Sequence, residues 1–279
     1  MMIKPFSWYA SRFITYIILI LFLLIAILPL IWMWFAAFRV QDITNPDPFA
    51  WPRAFTFNNI IKAWTLGRMS TYIWNSILVA VPRVSIILLL ASLAGFAFGK
   101  LRWKFRDVIF TFILIGLMLP IQAMIIPIFY NMQSLGLVNT RWALIIPALG
   151  MSMPFTCFMM RAFYRDLPDE LMDSASIDGC NKFMIWLRIM APLTKPALVT
   201  LLIFEFMGSW NEYFMPNLMI FTDHLRTMPL GLIYYRTKYS VDHAMIAAGV
   251  TICTFPIIII FTLLQRSFTA GITAGAVKG

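Results

Sequence analysis

Charge is scarce in this chain. Of 279 residues, 12% are Asp, Glu, Lys or Arg, against 61% hydrophobic. Reactive side chains are scarcer. The three cysteines, Cys157, Cys180 and Cys253, have no paired spacing, which excludes a disulfide framework and a zinc ligand set. Two of them fall in apolar runs, where Cys acts as a small hydrophobe. The two histidines, His224 and His243, stand alone near the ends of apolar runs and read as interfacial. No nucleophile has a base beside it. Gly95 to Lys100 has three residues between its glycines where a phosphate loop needs four, and Leu101 follows the lysine, so it cradles no nucleotide. No catalytic residue and no metal ligand is assigned. The chain is expected to be non-enzymatic and to bind no cofactor of its own.

What the sequence has is long apolar runs. They predict a single transmembrane domain over 1–279, all-α, with six spans at about 13–38, 72–99, 108–131, 140–163, 197–221 and 244–265. The first run is too long for the apolar part of a signal peptide and lacks a small-residue cleavage site, so it reads as a retained helix. Trp32, Trp34, Trp51, Trp64, Tyr72 and Trp74 gather as an interfacial belt would, and 57–66 reads as a short surface helix. Ala91, Gly95 and Gly99 repeat a small-xxx-small spacing that lets helices approach closely in lipid. Pro120, Pro127, Pro147, Pro154 and Pro256 lie inside spans and suggest kinks rather than breaks.

The net charge of +10 would suit nucleic acid, but topology accounts for it better. In the short connection 100–107, Lys100, Arg102, Lys104 and Arg106 make up half the residues. The positive-inside rule then places that loop, both termini and 166–192 in the cytoplasm. Within the spans, Arg83 and the series Glu205, Ser209, Glu212 break the apolar rule. A charge at bilayer depth costs at least about 2.5–3.5 kcal/mol, so each should face the bundle interior, a water path or a partner. Counting helical rise from the outer ends puts Arg83 at roughly 16 Å, Glu212 at roughly 14 Å and Glu205 at roughly 24 Å. Arg83 is therefore expected to pair with Glu212, with Glu205 deeper. Satisfying local backbone groups is the plainer alternative.

The segment 166–192 is the most charged. Five of the twelve carboxylates lie in it: Asp166, Asp169, Glu170, Asp173 and Asp178. Pro168, Leu171, Met172 and Ala175 follow helical spacing and make one apolar face. Asp166 is positioned to cap that helix, and Asp178-Gly179 to end it. A second run, 181–190, carries Phe183, Trp186, Leu187 and Met190 on one side. Membrane-surface helices usually present bases. Acids here favour a protein groove with a basic lining, while the chain's own bundle is the plainer partner for the apolar face.

Asp173-Ser174-Ala175-Ser176-Ile177-Asp178-Gly179, then nine residues, then Ile189-Met190-Ala191-Pro192, resembles the "EAA" loop of ABC-importer permeases, Glu-Ala-Ala-x-x-x-Gly, nine residues, Ile-x-Leu-Pro. Gly179, Ile189 and Pro192 match in register; Asp173, Ser174 and Ala191 depart from it. Asn75-Ser76, Pro120 with Ile126-Pro127, Phe163 with Leu167-Pro168, Trp210-Asn211-Glu212, Thr227-Met228-Pro229-Leu230-Gly231 and the tail from Gln265 are similar to the carbohydrate branch, the maltose-type second permease subunit in particular.

The resemblance implies a type I importer permease fold with a cytoplasmic coupling helix between helices 4 and 5. It implies a bacterial inner-membrane complex with a second homologous permease subunit, two ATPases holding ATP and Mg, and an extracytoplasmic binding protein that delivers a sugar or oligosaccharide. Leu171, Met172, Asp173, Ala175, Asp178, Gly179, Ile189 and Pro192 are then expected to couple to the ATPase. Arg83, Glu205, Ser209, Trp210, Asn211 and Glu212 are candidates for the translocation path. Asp223, His224, Arg226, Tyr234 and Tyr235 are candidates for contact with the binding protein. A polyol, glycerol phosphate or uronate oligosaccharide is the alternative solute. A secondary transporter would normally show internal repeats, which the sequence lacks.

Overall fold

The computed structural model describes residues 6–40, 51, 54–233 and 243–276, and every regular element among them is a helix. The chain divides into two compact units, Met1–Met69 with Tyr234–Thr254, and Ser70–Ile233 with Phe255–Gly279.

In the first unit, α1 (Phe6–Phe38) carries Pro29 without breaking. Its last carbonyls have no partner within the helix. Asn59 on α2 (Asn58–Thr65) supplies one, its side-chain amide donating to Ala37 O at 3.0 Å and Arg39 O at 2.8 Å. Arg39 and Phe55 form an antiparallel bridge, with Thr56 N donating to Phe38 O. Phe35 packs on Trp51 and Phe55, and Phe38 on Phe57. The expected surface helix, α2, and Trp51 of the expected belt thus belong to one small assembly closing the end of α1.

The second unit is built on α3 (Met69–Lys100) and α6 (Trp142–Asp166). A Cβ on Gly95 would lie 2.5 Å from Met160 Cβ and 2.9 Å from Arg161 N, so only glycine allows this approach of the two helices. Gly99 makes a looser contact with Tyr164. One core cluster joins α3 and α6 to the 170–201 region through Ala91, Phe96, Tyr164, Met172, Trp186 and Met190. Another, with Val79, Leu144, Met215, Met219 and Leu230, lies toward the other end.

Among the described residues, four helices are long and apolar enough to cross a membrane: Arg12–Phe38, Met69–Lys100, Trp142–Asp166 and His243–Gln265. Two bent pairs raise the number to six where each pair is counted as one span. Two corrections to the expected spans follow. Span 108–131 is not a kinked helix. α4 (Arg106–Ile115) ends in a 3-10 turn, Leu119 and Pro120 are extended, and α5 (Ile121–Ser134) leaves at 103°. Proline pushes its preceding residue out of the helical region, and Leu119 is extended, with ψ of 119°. Pro127, Pro147, Pro154 and Pro256 sit inside unbroken helices, as expected. Span 197–221 is interrupted as well: α10 (Lys195–Trp210) stops at Asn211, and α11 (Phe214–Met219) follows a gap. The last helix, α13, runs His243–Ala276.

Between α6 and α10 lie α7 (Glu170–Ile177), α8 (Lys182–Ile185), a π turn over Trp186–Met190 and α9 (Ala191–Leu193). The piece Lys182–Leu193 meets α10 at 76°. Met228–Ile233 forms α12.

Candidate functional site: a coupling elbow and a buried charge pair

The end of α7 explains why its motif carries a glycine. Gly179 N donates to Ser176 O at 3.1 Å and Cys180 N to Ala175 O at 3.0 Å. This is the paired bonding of a Schellman stop, which needs a left-handed residue, and Gly179 has φ of 82°. Asn181 then caps α8, its Oδ1 accepting from Met184 N at 2.8 Å. The chain thus makes a tight elbow whose two short helices are each terminated by their own sequence.

Asp166 is not the cap of α7; it ends α6, and the N-cap position falls on Asp169. Asp169 pairs with Lys100, whose ammonium also donates to Leu167 O. The hydrogen bond and charge of Lys100 hold the Asp169 carboxyl below the usual carboxylate range. The elbow is thereby fastened to the end of α3.

The expected apolar face divides. Met172 and Ala175 are buried in the chain's own core, and Leu171 is half-buried against it. Met172 and Ala175 therefore offer no surface to a partner, and the plainer expectation holds for them. Asp173, Asp178 and Pro192 are exposed and Ile189 is half-buried. Ile177 is 86% exposed, and Phe183 and Leu187 stand out beside it in the sequence. Trp186 and Met190, expected on the same side as Phe183 and Leu187, are buried. The π turn is the reason: an i→i+5 turn shifts side chains off 3.6-residue phasing.

Trp186 carries the attachment that sequence reasoning missed. Its Nε1 donates to Ser92 Oγ at 3.1 Å, and Ser92 Oγ and Tyr164 OH are 2.7 Å apart, all three buried. One hydroxyl on α3 thus joins the elbow to α6. The one serine in the apolar run 86–98 was the available signal.

Deeper in the same unit, the buried charges pair differently from the depth count. Arg83 Nη2 lies 3.8 Å from Glu205 Oε2, and Ser152 Oγ donates to the same oxygen at 2.8 Å. Glu212 is not Arg83's ion-pair partner. It falls in the gap after α10, where Oε1 accepts from Phe214 N at 2.8 Å and Met215 N at 3.2 Å and so opens α11. The Glu205–Ser209–Glu212 stripe assumed a helix that has already ended. Trp210 is buried and stacked on Phe206, while Asn211 is exposed at the end of α10. Arg83, Ser209, Glu212 and Thr227 line a cavity of about 40 Å³. Arg83 Nε, Ser209 Oγ and Thr227 Oγ1 are buried without a hydrogen-bond partner among the described residues. Ligand pockets measure about 300–1,000 Å³, so this nook has room for water only.

The connection after α11 is strapped to α3. Asn75 Nδ2 donates to His224 O and Arg226 O, Tyr72 OH to Asp223 Oδ1, and Met228 N to Ser76 Oγ. Arg226 pairs with Asp223 at 2.7 Å. Asp223 and Arg226 are therefore half-buried and engaged within the chain, whereas His224 is exposed. Tyr234 and Tyr235 lie outside the described residues.

Comparison with known proteins agrees with this arrangement. Residues 87–273 match the family model described as "Binding-protein-dependent transport system inner membrane component". A probable ABC transporter permease protein, YurM of Bacillus subtilis, is 34% identical over 98% of this chain and 91% of its own. The arabinooligosaccharides transport system permease protein AraQ of Halalkalibacterium halodurans is 35% identical over 91% of this chain and 92% of its own. A chain in the crystal structure of a bacterial ABC transporter involved in alginate import superposes with a TM-score of 0.83 at 22% identity, over 96% of this chain and all of that one, a likeness of fold. With a motif-bearing elbow, six apolar spans or bent span pairs, and relatives matched nearly end to end, the chain belongs to the binding-protein-dependent transport system inner membrane components, the permeases of ABC importers.

Proposed function

We propose that this permease passes a sugar or oligosaccharide across the bacterial inner membrane, delivered by an extracytoplasmic binding protein and driven by two ATPases that hold ATP and Mg. A second, homologous permease subunit completes the path. The relatives' names support the solute class: arabinooligosaccharides, diacetylchitobiose and lactose. The basic connection between α3 and α4 supports cytoplasmic termini.

The elbow carries this reading. It presents acids and Ile177 outward on a helix closed by a Schellman stop, while its other side is bonded to α3 and α6 through Trp186. An ATPase closing on α7 then moves α3 and α6 with it, and the nook lined by Arg83, Ser209 and Glu212 opens as the spans separate. Docking falls to Asp173, Ile177 and Asp178. Burying Ile177 contributes about 1.5–3 kcal/mol, and Asp173 against a basic groove adds specificity more than affinity.

The test is reconstitution of the chain with its sister permease, ATPase and binding protein in vesicles. Uptake is expected to require ATP and to survive a proton uncoupler; uphill uptake without the ATPase overturns the reading. Ile177→Asp with Asp173→Lys is expected to insert normally but to lose ATPase co-purification and transport. Retained co-purification excludes docking through this face. Met172→Asp is expected to lower the folded yield instead.

A further inference from the structure

A cavity of about 550 Å³ opens beside the connection between α3 and α4. Lys100, Arg102, Arg106, Arg161 and Arg165 line it, with Asp107 and Asp169. Five cations against two carboxylates leave an excess of three positive charges, and both carboxylates are already committed. Asp169 holds Lys100, and Asp107 holds Arg161 at 2.7 Å and Arg106 at 3.0 Å. Arg161 is further fixed by its bond to Phe98 O and by the face of Phe110, 3.8 Å away. Arg102 and Arg165 are exposed and make no hydrogen bond or ion pair with the described residues. Gathering these charges around one hollow costs repulsion that an anion would relieve.

A neighbouring cavity of about 470 Å³ says which anion. It shares Arg102, Arg106 and Asp107 with the first and adds Trp103, Phe105 and Val108. From there the outer side of α4 continues apolar and exposed, with Val108 at 67% and Phe112 at 74%. A free phosphate or an acidic peptide would need only the basic cavity. A phospholipid needs both, a charged cup for its phosphate and an apolar rim leading to hydrocarbon. Tryptophan beside basic residues marks the membrane interface, and basic pockets between spans on the inner side suit anionic headgroups.

We infer that these adjoining cavities bind an anionic phospholipid, its phosphate between Arg102, Arg106 and Arg165 and its glycerol and first acyl carbons along Trp103, Phe105 and Val108. The site needs the proposed inward orientation of this loop but not the identity of the transported solute. It shares Asp169 with the start of the elbow, so a bound headgroup lies against the pair that fastens α7 to α3.

The purified complex, in phosphatidylcholine nanodiscs, is titrated with spin-labelled phosphatidylglycerol and, separately, with spin-labelled phosphatidylcholine. The immobilised fraction is read with and without inorganic phosphate and with the ATPase stripped or bound. The anionic lipid is expected to bind roughly tenfold or more tightly than the zwitterionic one. Arg102→Gln with Arg165→Gln should abolish that preference, Arg102→Lys with Arg165→Lys should retain most of it, and Lys104→Gln, outside the cavity lining, should leave it intact. Equal binding of the two lipids by the unaltered protein overturns the proposal, whatever the variants do. So does displacement of the lipid by millimolar phosphate, which assigns the cup to a free anion. So does a preference that disappears when the ATPase binds, if the Gln variant also weakens ATPase binding, because the patch is then a protein-docking surface.

Discussion

Arg83 shows what a single buried residue fixes. Its side chain is 12% exposed and that of Glu205 is 9%, so both charges are largely withdrawn from bulk solvent and compensate each other, with Ser152 also bonding Glu205. Removing one partner of such a pair strands the other, a loss of about 3–5 kcal/mol, whereas removing both is often close to neutral. Glu205→Ala is therefore expected to lower the thermal unfolding temperature of the purified protein sharply, and Arg83→Met with Glu205→Leu to restore most of it. A double variant no more stable than Glu205→Ala would mean that the two charges do not compensate each other. Glu212→Ala is expected to cost less, about 0.5–2 kcal/mol, as the loss of a helix cap. The sequence showed that these charges belong together but mispaired them. Depth counting assumes a continuous helix, and Asn211 ends α10 before Glu212 is reached. No spacing rule announces that interruption. Trp210-Asn211-Glu212 is legible as a motif, but the stop becomes visible only once Glu212 is seen bonding Phe214 and Met215.

At the scale of elements, glycines separate two jobs. Gly95 lets α3 approach α6, and a methyl there would meet Met160 Cβ and the backbone of Arg161. Gly95→Ala is expected to destabilise by about 1–3 kcal/mol, as overpacking does. Gly150, inside α6, has open space around it. Gly150→Ala is expected to be neutral or to stabilise by up to about 1 kcal/mol, since alanine favours the helix. Denaturation of the two variants side by side checks the contrast, and equal losses would mean that the Gly95 approach is not tight. The small-xxx-small spacing made that approach readable, because close packing in lipid requires small residues at one-turn intervals. Gly179 was readable for a similar reason, a turn after Asp178. The division of 181–190 into buried and exposed sides was not, because periodicity presupposes the α turn and a π turn leaves no mark in composition. The break at Leu119–Pro120 was half legible. Proline marked it, but six other positions, Pro29, Pro82, Pro127, Pro147, Pro154 and Pro256, carry proline within helices without a break.

At the scale of the whole molecule, the proposed orientation rests on where the bases lie, and the natural cysteines offer a test. Cys157 and Cys253 are buried, and Cys180 is half-buried at the elbow. A membrane-impermeant maleimide is expected to label the protein at Cys180 in inside-out vesicles stripped of ATPase, and to leave intact cells unlabelled. Labelling of Cys180 from outside would reverse the topology.

The interruptions at Leu119–Pro120 and at 211–213 carry a mechanical consequence. A continuous helix resists bending because its ladder of backbone bonds must stretch. Where the ladder is already absent, rotation costs little beyond torsion. Each interruption lies partway along a bent or broken span, between segments that are themselves regular. The unit is therefore stiff rods with ready-made joints, and a push at one end can be delivered as an angle at the other without any rod having to melt.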